Sequence, residues 1–254
     1  MQEVVFFTYY QYIFLSIGIV AFFLLLKVTA PYGKHFSEKF GPSIKGSWAW
    51  LIMESPAAIT TTILLLLSID NLSLVPVLLV CIFCVHYYPR DFIYPFWARR
   101  EAKTPLIIMC SAIFFNISNA YLQTRWLLKF APEDKYTIAW LYSPQFIIGS
   151  LLFILGFIFN RKAEITLRKL RKKGEKSYKI PQGGMFEFIS CPNYFFEIIE
   201  WIGWAILTWS VPGLVFIIWT IANLGPRAIS THKWYKKNFP NYPKSRKALI
   251  PFIC

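Results

Sequence analysis

Polar and apolar positions along this chain fall into long blocks rather than short alternations. Seven apolar runs stand out, at 9–26, 48–67, 72–88, 105–128, 143–159, 195–209 and 211–224. The fifth continues without a breaker into charged sequence, so its helix is expected over 143–173. About 20 mostly apolar residues carry a helix across the hydrocarbon core. None of the runs keeps the period of two that a lipid-facing barrel strand needs. The last two runs nearly touch at Ser210-Val211-Pro212-Gly213, turn chemistry that predicts a tight helical hairpin. The pattern predicts an all-α integral membrane protein, a single domain over 1–254 with seven transmembrane helices and a cytosolic tail at 225–254. The first run reads as a span and not as a cleavable signal. The stretch before it carries Glu3 and no basic n-region, and no small-residue cleavage site occurs before Lys27.

Composition supports this pattern. At 56% hydrophobic and only 16% charged, the chain is too apolar for a disordered or collagen-like protein and less charged than ordinary soluble domains, at about 25%. The net charge of +14 sets the orientation, because 24 of the 27 Lys and Arg residues follow the first, third, fifth and seventh runs. The opposite loops hold only Arg125, Lys129 and Lys135. The positive-inside bias then puts the N-terminus outside and the C-terminus in the cytoplasm, whether the membrane is a bacterial inner membrane or endoplasmic reticulum. The basic residues do not form an aromatic-interleaved groove, so no nucleic acid partner is expected. Attraction to anionic membrane lipid accounts for most of the lysines. Cys81 and Cys84 lie within an apolar run and read as packing residues, and no His/Cys cluster has metal spacing.

Polar groups inside the apolar runs carry the chemistry. Charge at the centre of a spanning helix costs roughly 2.5–3.5 kcal/mol or more and usually faces a cavity. Glu54 sits in the second run with no Lys or Arg on the same helix, and Trp50 shares its face one turn earlier. A carboxyl without a cation is expected to be neutral and able to donate a hydrogen bond; an ordinary interhelix hydrogen bond is the alternative. Tyr87 ends the third run beside His86 and Tyr88, as an interfacial aromatic or as an inward-facing ligand group. Asn160, Glu164, Arg168 and Arg171 recur at helical spacing and make one face. Guanidinium forks suit phosphate, although a salt-bridged helix end has the same spacing. Gly183-Gly184 permits a tight turn, but it is not the glycine signature of a Rossmann site. Asn193, Glu197 and Trp201 share a face at the start of the sixth run, with Glu200 beside them. The tail, through His232-Lys233-Trp234-Tyr235, reads as an amphipathic interfacial segment.

Taken together these segments resemble the steroid 5-alpha-reductase family. The resemblance covers most of the chain. It is strongest from Asn160 onward, through Ile180-Pro181-Gln182-Gly183-Gly184, Glu197-Ile198-Ile199-Glu200-Trp201 and the run 242–252, which is very similar to that of the animal type 2 members. Pro31-Tyr32-Gly33-Lys34-His35 and Val85-His86-Tyr87 also look like family segments. The resemblance implies a membrane reductase that uses NADPH on 3-oxo-Δ4 steroids taken from the lipid phase; a monomer is expected. It implies that Glu54 and Tyr87 hold the substrate ketone. It places Asn160, Glu164, Arg168, Arg171, Tyr178, Asn193, Glu197, Trp201, Arg227, His232 and Tyr235 on cofactor-pocket segments, with Lys34 and Arg90 near the phosphates. Trp50, Phe114 and Trp219 are implied to wall the steroid slot. The chain departs from animal members at Met53, Cys110, Glu164 and Ser230-Thr231-His232. Two neighbouring readings keep the same layout, an enoyl-thioester reductase and a membrane methyltransferase acting on lipid or isoprenylcysteine. The arginine stripe disfavours the latter, since S-adenosylmethionine has no phosphate. A non-enzymatic transporter-like bundle is the third.

Overall fold

A computed structural model describes residues 2–97, 102–170 and 177–253. Among the described residues, eight α-helices carry the fold: α1 (Gln2–Lys27), α2 (Gly46–Leu66), α3 (Leu74–Tyr88), α4 (Tyr94–Trp97), α5 (Leu106–Arg125), α6 (Pro144–Lys169), α7 (Pro192–Thr208) and α8 (Val211–Asn238). A two-residue antiparallel pairing joins β1 (Ser43–Ile44) to β2 (Thr104–Pro105). Among the described residues, six helical stretches are long and apolar enough to cross a membrane. The remaining long helix, α7, has 17 residues. Helix α1 turns Phe6, Ile13, Val20 and Phe23 outward, the surface expected of a helix facing lipid.

The hairpin at residues 209–212 forms as the sequence predicts. Trp209 caps α7 in the left-handed region (φ 44°), and the Ser210 hydroxyl accepts the Gly213 N–H at 3.0 Å to start α8. One expected boundary is corrected. Helix α8 does not stop at 224 but runs unbroken to Asn238, so half of the expected tail is helix. Pro226 removes one backbone bond, yet the continued turn brings Arg227, Thr231 and Tyr235 into one buried stripe. The helix of the third run ends at Tyr88 as expected, but helical structure continues past it. Pro89 cannot donate to the helical ladder, and the chain passes through a π-turn over Pro89–Ile93 into α4. That wider turn directs Arg90 and the fully buried Asp91 inward, where Asp91 accepts the Ala58 N–H at 3.3 Å.

Helices α6 and α7 touch backbone to backbone. A Cβ at Gly149, Gly156 or Gly203 would lie 2.4 Å from the backbone nitrogen of Leu207, Glu200 or Phe153, respectively. Small residues along such a seam let apolar helices approach closely. At its far end Asn160 donates to the Asn193 carbonyl at 2.9 Å. Elsewhere α1 lies along α8, and Gly18 leaves room for the Trp219 indole, which stacks on Phe14 with ring centroids 4.9 Å apart. Glu3 ties the start of α1 to Arg125 and Lys129.

Candidate active site

One cavity of about 860 Å³ opens among α1, α2, α5, α6, α7, α8 and the α3–α4 turn. Single-ligand pockets usually span about 300–1,000 Å³. Of the residues expected at the site, Lys34, Trp50, Glu54, Tyr87, Arg90, Phe114, Glu164, Arg168, Tyr178, Asn193, Glu197, Trp201, Trp219, Arg227 and Tyr235 all line it. Asn160 lies behind the wall and reaches it through Asn193. His232 lies outside the lining, bonded through Nδ1 to the Ser190 hydroxyl at 2.6 Å. Arg171 falls outside the described residues.

The apolar lining comes from Leu24 and Leu25 on α1, Trp50 and Met53 on α2, Phe114 and Phe115 on α5, and Trp219 on α8. Glu54 and Tyr87 sit on α2 and α3 and open into the same space. The expectation that Glu54 has no cation is corrected. The π-turn brings Arg90 across, its Nε 3.4 Å from Glu54 and its Nη2 3.5 Å from Glu197. A single guanidinium therefore bridges a carboxylate of α2 and one of α7, with the Trp50 ring 5.2 Å away. The correction arises because the partner comes from a different helix, which the spacing within one helix cannot reveal. Tyr87 is buried against Phe83, Trp201 and His86, and its hydroxyl accepts from Asn119 Nδ2 at 3.2 Å.

The polar lining is richer in cations. Arg227 stacks on the Tyr32 ring at 3.5 Å and donates to the Tyr32 and Ala30 carbonyls and the Tyr194 hydroxyl. Arg168 stacks on Trp97 at 4.6 Å and donates to the Trp97 carbonyl at 2.8 Å. Lys34 lies over the Tyr235 ring at 4.4 Å. Glu164 accepts from Asn193 Nδ2 at 2.9 Å and from the Tyr94 hydroxyl. Cations, an acid and an amide converge here, a donor and acceptor set that fits a phosphate-bearing dinucleotide.

The C-terminal run closes over the glycine turn. Gly183 and Gly184 take φ of 86° and 56°, where a side chain would be strained. The Gly183 N–H and then the Arg246 guanidinium hold the Glu187 carboxyl below its ordinary range. Arg246, buried itself, also donates to the Pro181 carbonyl at 2.8 Å, and the strand-like contact between Ile189 and Lys247 completes the closure.

Several groups absent from the expected site belong to it. Tyr32, Tyr94, Trp97, Asn116 and Tyr194 line the cavity. His86 lines it too and pairs with the fully buried Glu200 at 2.6 Å. A signal for part of this set is readable: Asn116, Asn119 and Gln123 recur at steps of three and four inside an apolar run.

The model of the family described as 3-oxo-5-alpha-steroid 4-dehydrogenase matches residues 102–254. The chain is 39% identical to steroid 5-alpha-reductase DET2 of Arabidopsis thaliana, with all of both chains covered. It is 37% identical to 3-oxo-5-alpha-steroid 4-dehydrogenase 1 of Bos taurus over 95% of each chain. It is 40% identical to 3-oxo-5-alpha-steroid 4-dehydrogenase 2 of Macaca fascicularis over 91% of each. Whole-length identity of this size, together with the family-model match and a single cavity lined by both apolar and cationic groups, makes the chain a member of the steroid 5-alpha-reductase family of oxidoreductases.

Proposed function

We propose that the chain reduces the Δ4 double bond of 3-oxo-Δ4 steroids to 5α-3-oxosteroids with NADPH, as a seven-span membrane enzyme acting as a monomer. Its N-terminus lies outside and its cofactor mouth faces the cytoplasm, in a bacterial inner membrane or endoplasmic reticulum. The observation that carries this reading is the continuity of one cavity from the Arg168–Arg227 wall to the Glu54–Tyr87 wall. A dinucleotide and an enone can meet only where such a space is shared.

The residues at the cationic wall fit the cofactor. Arg168, Arg227 and Lys34 would hold phosphates, and Glu164 and Asn193 would take ribose or amide groups. NADPH supplies a hydride for the enone β carbon; the protein supplies position and electrostatics. Negative charge then builds on the C3 oxygen, and a proton taken from water at the neighbouring α carbon restores the ketone and completes the two hydrogens gained. The Tyr87 hydroxyl, and the Glu54 carboxyl when it holds a proton, are the donors aimed at the C3 oxygen, an oxyanion-hole arrangement. Arg90 ties Glu54 to Glu197, a contact between groups at the two ligands. The planar steroid lies between Trp50, Phe114 and Trp219, which exclude bulk water from the reacting carbons. Protein in detergent, given NADPH and a 3-oxo-Δ4 steroid, should yield a product two hydrogens heavier by mass spectrometry. NADPH should also raise its Tm. Reduction of enoyl thioesters in place of the steroid would overturn the substrate, and absence of NADPH protection would overturn the cofactor.

A further inference from the structure

We infer that Trp204, Gln123 and Asn119 form a one-directional hydrogen-bond chain that makes the Tyr87 hydroxyl a donor into the cavity, with Asn119 its positioning residue. The inference rests on the ketone-binding role proposed for Tyr87. All four groups are buried; Asn119 is 1% and Gln123 2% exposed. Of them, only Tyr87 lines the cavity.

The direction of the chain follows from groups that cannot reverse. The Trp204 indole N–H can only donate, and it meets Gln123 Oε1 at 2.9 Å. The Pro212 carbonyl can only accept, and it meets Gln123 Nε2 at 2.8 Å. These two contacts fix which end of the Gln123 amide is oxygen and which is nitrogen. Its second amide hydrogen then goes to Asn119 Oδ1 at 3.1 Å. That leaves Asn119 Nδ2 facing Tyr87, and it donates to the phenolic oxygen at 3.2 Å. Tyr87 makes no other hydrogen bond among the described residues. Its oxygen is engaged as acceptor, so its own hydrogen points to the open space. A reversed chain would strand a buried indole donor and a buried carbonyl acceptor, and unsatisfied buried groups are expensive. Aligned hydrogen bonds also polarise one another. The Tyr87 proton is therefore held ready for the oxygen where charge develops, and the reaction need not turn it first.

A double-mutant cycle tests this. Asn119→Leu should lower kcat about tenfold, the scale of one hydrogen bond. NADPH protection against thermal unfolding should be unchanged. The infrared carbonyl stretch of a bound 3-oxo-Δ4 steroid, labelled at C3, should move to higher frequency as its hydrogen bond weakens. In a Tyr87→Phe background the same substitution should change kcat by less than about twofold, because its target is gone. Trp204→Phe, which removes one N–H and keeps an aromatic ring, should show a smaller drop with the same dependence on Tyr87; it carries the cycle if Asn119→Leu does not fold. Losses that multiply, or parental kcat in both variants, overturn the chain. Parental turnover in Tyr87→Phe alone overturns the role of Tyr87 and the chain with it. Loss in Tyr87→Phe with parental Asn119→Leu and Trp204→Phe leaves that role standing and overturns only the chain.

Discussion

At the Tyr87 wall of the cavity, polar contacts run between side chains: across elements for Tyr87 with Asn119 and Glu54 with Arg90, and along α5 for Asn119 with Gln123. At the opposite wall, Arg168 and Arg227 rest on backbone carbonyls, a phenol and the faces of Trp97 and Tyr32. The difference has an electrostatic meaning. A guanidinium bridging two carboxylates, as Arg90 does, has its charge spent internally. A guanidinium held by neutral groups is positioned but not neutralised, so its field remains available to a polyanion. In the function proposed above, one wall would direct a proton and the other would attract phosphate.

The largest expected effect breaks the first wall. Glu54→Leu, which leaves no hydrogen to donate, should lower turnover on the order of 100–1000-fold, the usual loss for an oxyanion donor, while NADPH still protects against thermal unfolding. Near-parental turnover would remove Glu54 from the chemistry. Next comes the second wall. Arg168→Ala should weaken NADPH affinity on the order of 10–100-fold, as loss of a charged hydrogen bond does, with a smaller change in kcat. Equal loss in Arg90→Ala and Arg168→Ala on cofactor affinity alone would erase the distinction between them.

A third test addresses what holds the walls in register. Gly156→Val inserts bulk where the α6 and α7 backbones touch, and overpacking of this kind costs about 1–3 kcal/mol. A lower Tm with both ligands weakened together is expected. An unchanged Tm would place the seam elsewhere.

The smallest effect concerns His35, in the loop before α2 beside Lys34 and Arg227. Burial, then the charges of Arg227 and Lys34, push its imidazole down to about 4. The unfolded chain takes up that proton near 6.5, so unfolding binds a proton between these values. Stability from this group is full above 6.5 and falls as pH drops toward 4. His35→Asn should flatten a small part of the acid limb of a Tm-against-pH curve.

The apolar runs and the Ser210–Gly213 hairpin were legible because each depends on neighbours in sequence. So was the face of Asn160, Glu164 and Arg168, since helical periodicity alone aligns them. The Arg90 bridge was not, because Glu54, Arg90 and Glu197 lie on three elements whose contact depends on a π-turn at Pro89. The length of α8 was not legible for a similar reason: Gly225-Pro226 carries breaker chemistry, but burial of Arg227 and Tyr235 outweighs one lost backbone bond. Asn119 and Gln123 gave a readable polar pattern, yet their partner Trp204 lies 81 residues beyond Gln123.

The most direct test of the shared cavity is isotope transfer. NADPH deuterated at the nicotinamide C4 position to be transferred, incubated with the purified protein and a 3-oxo-Δ4 steroid, should give a 5α-product carrying deuterium at C5. A reduced product without that deuterium, or no reduced steroid at all, would contradict the account.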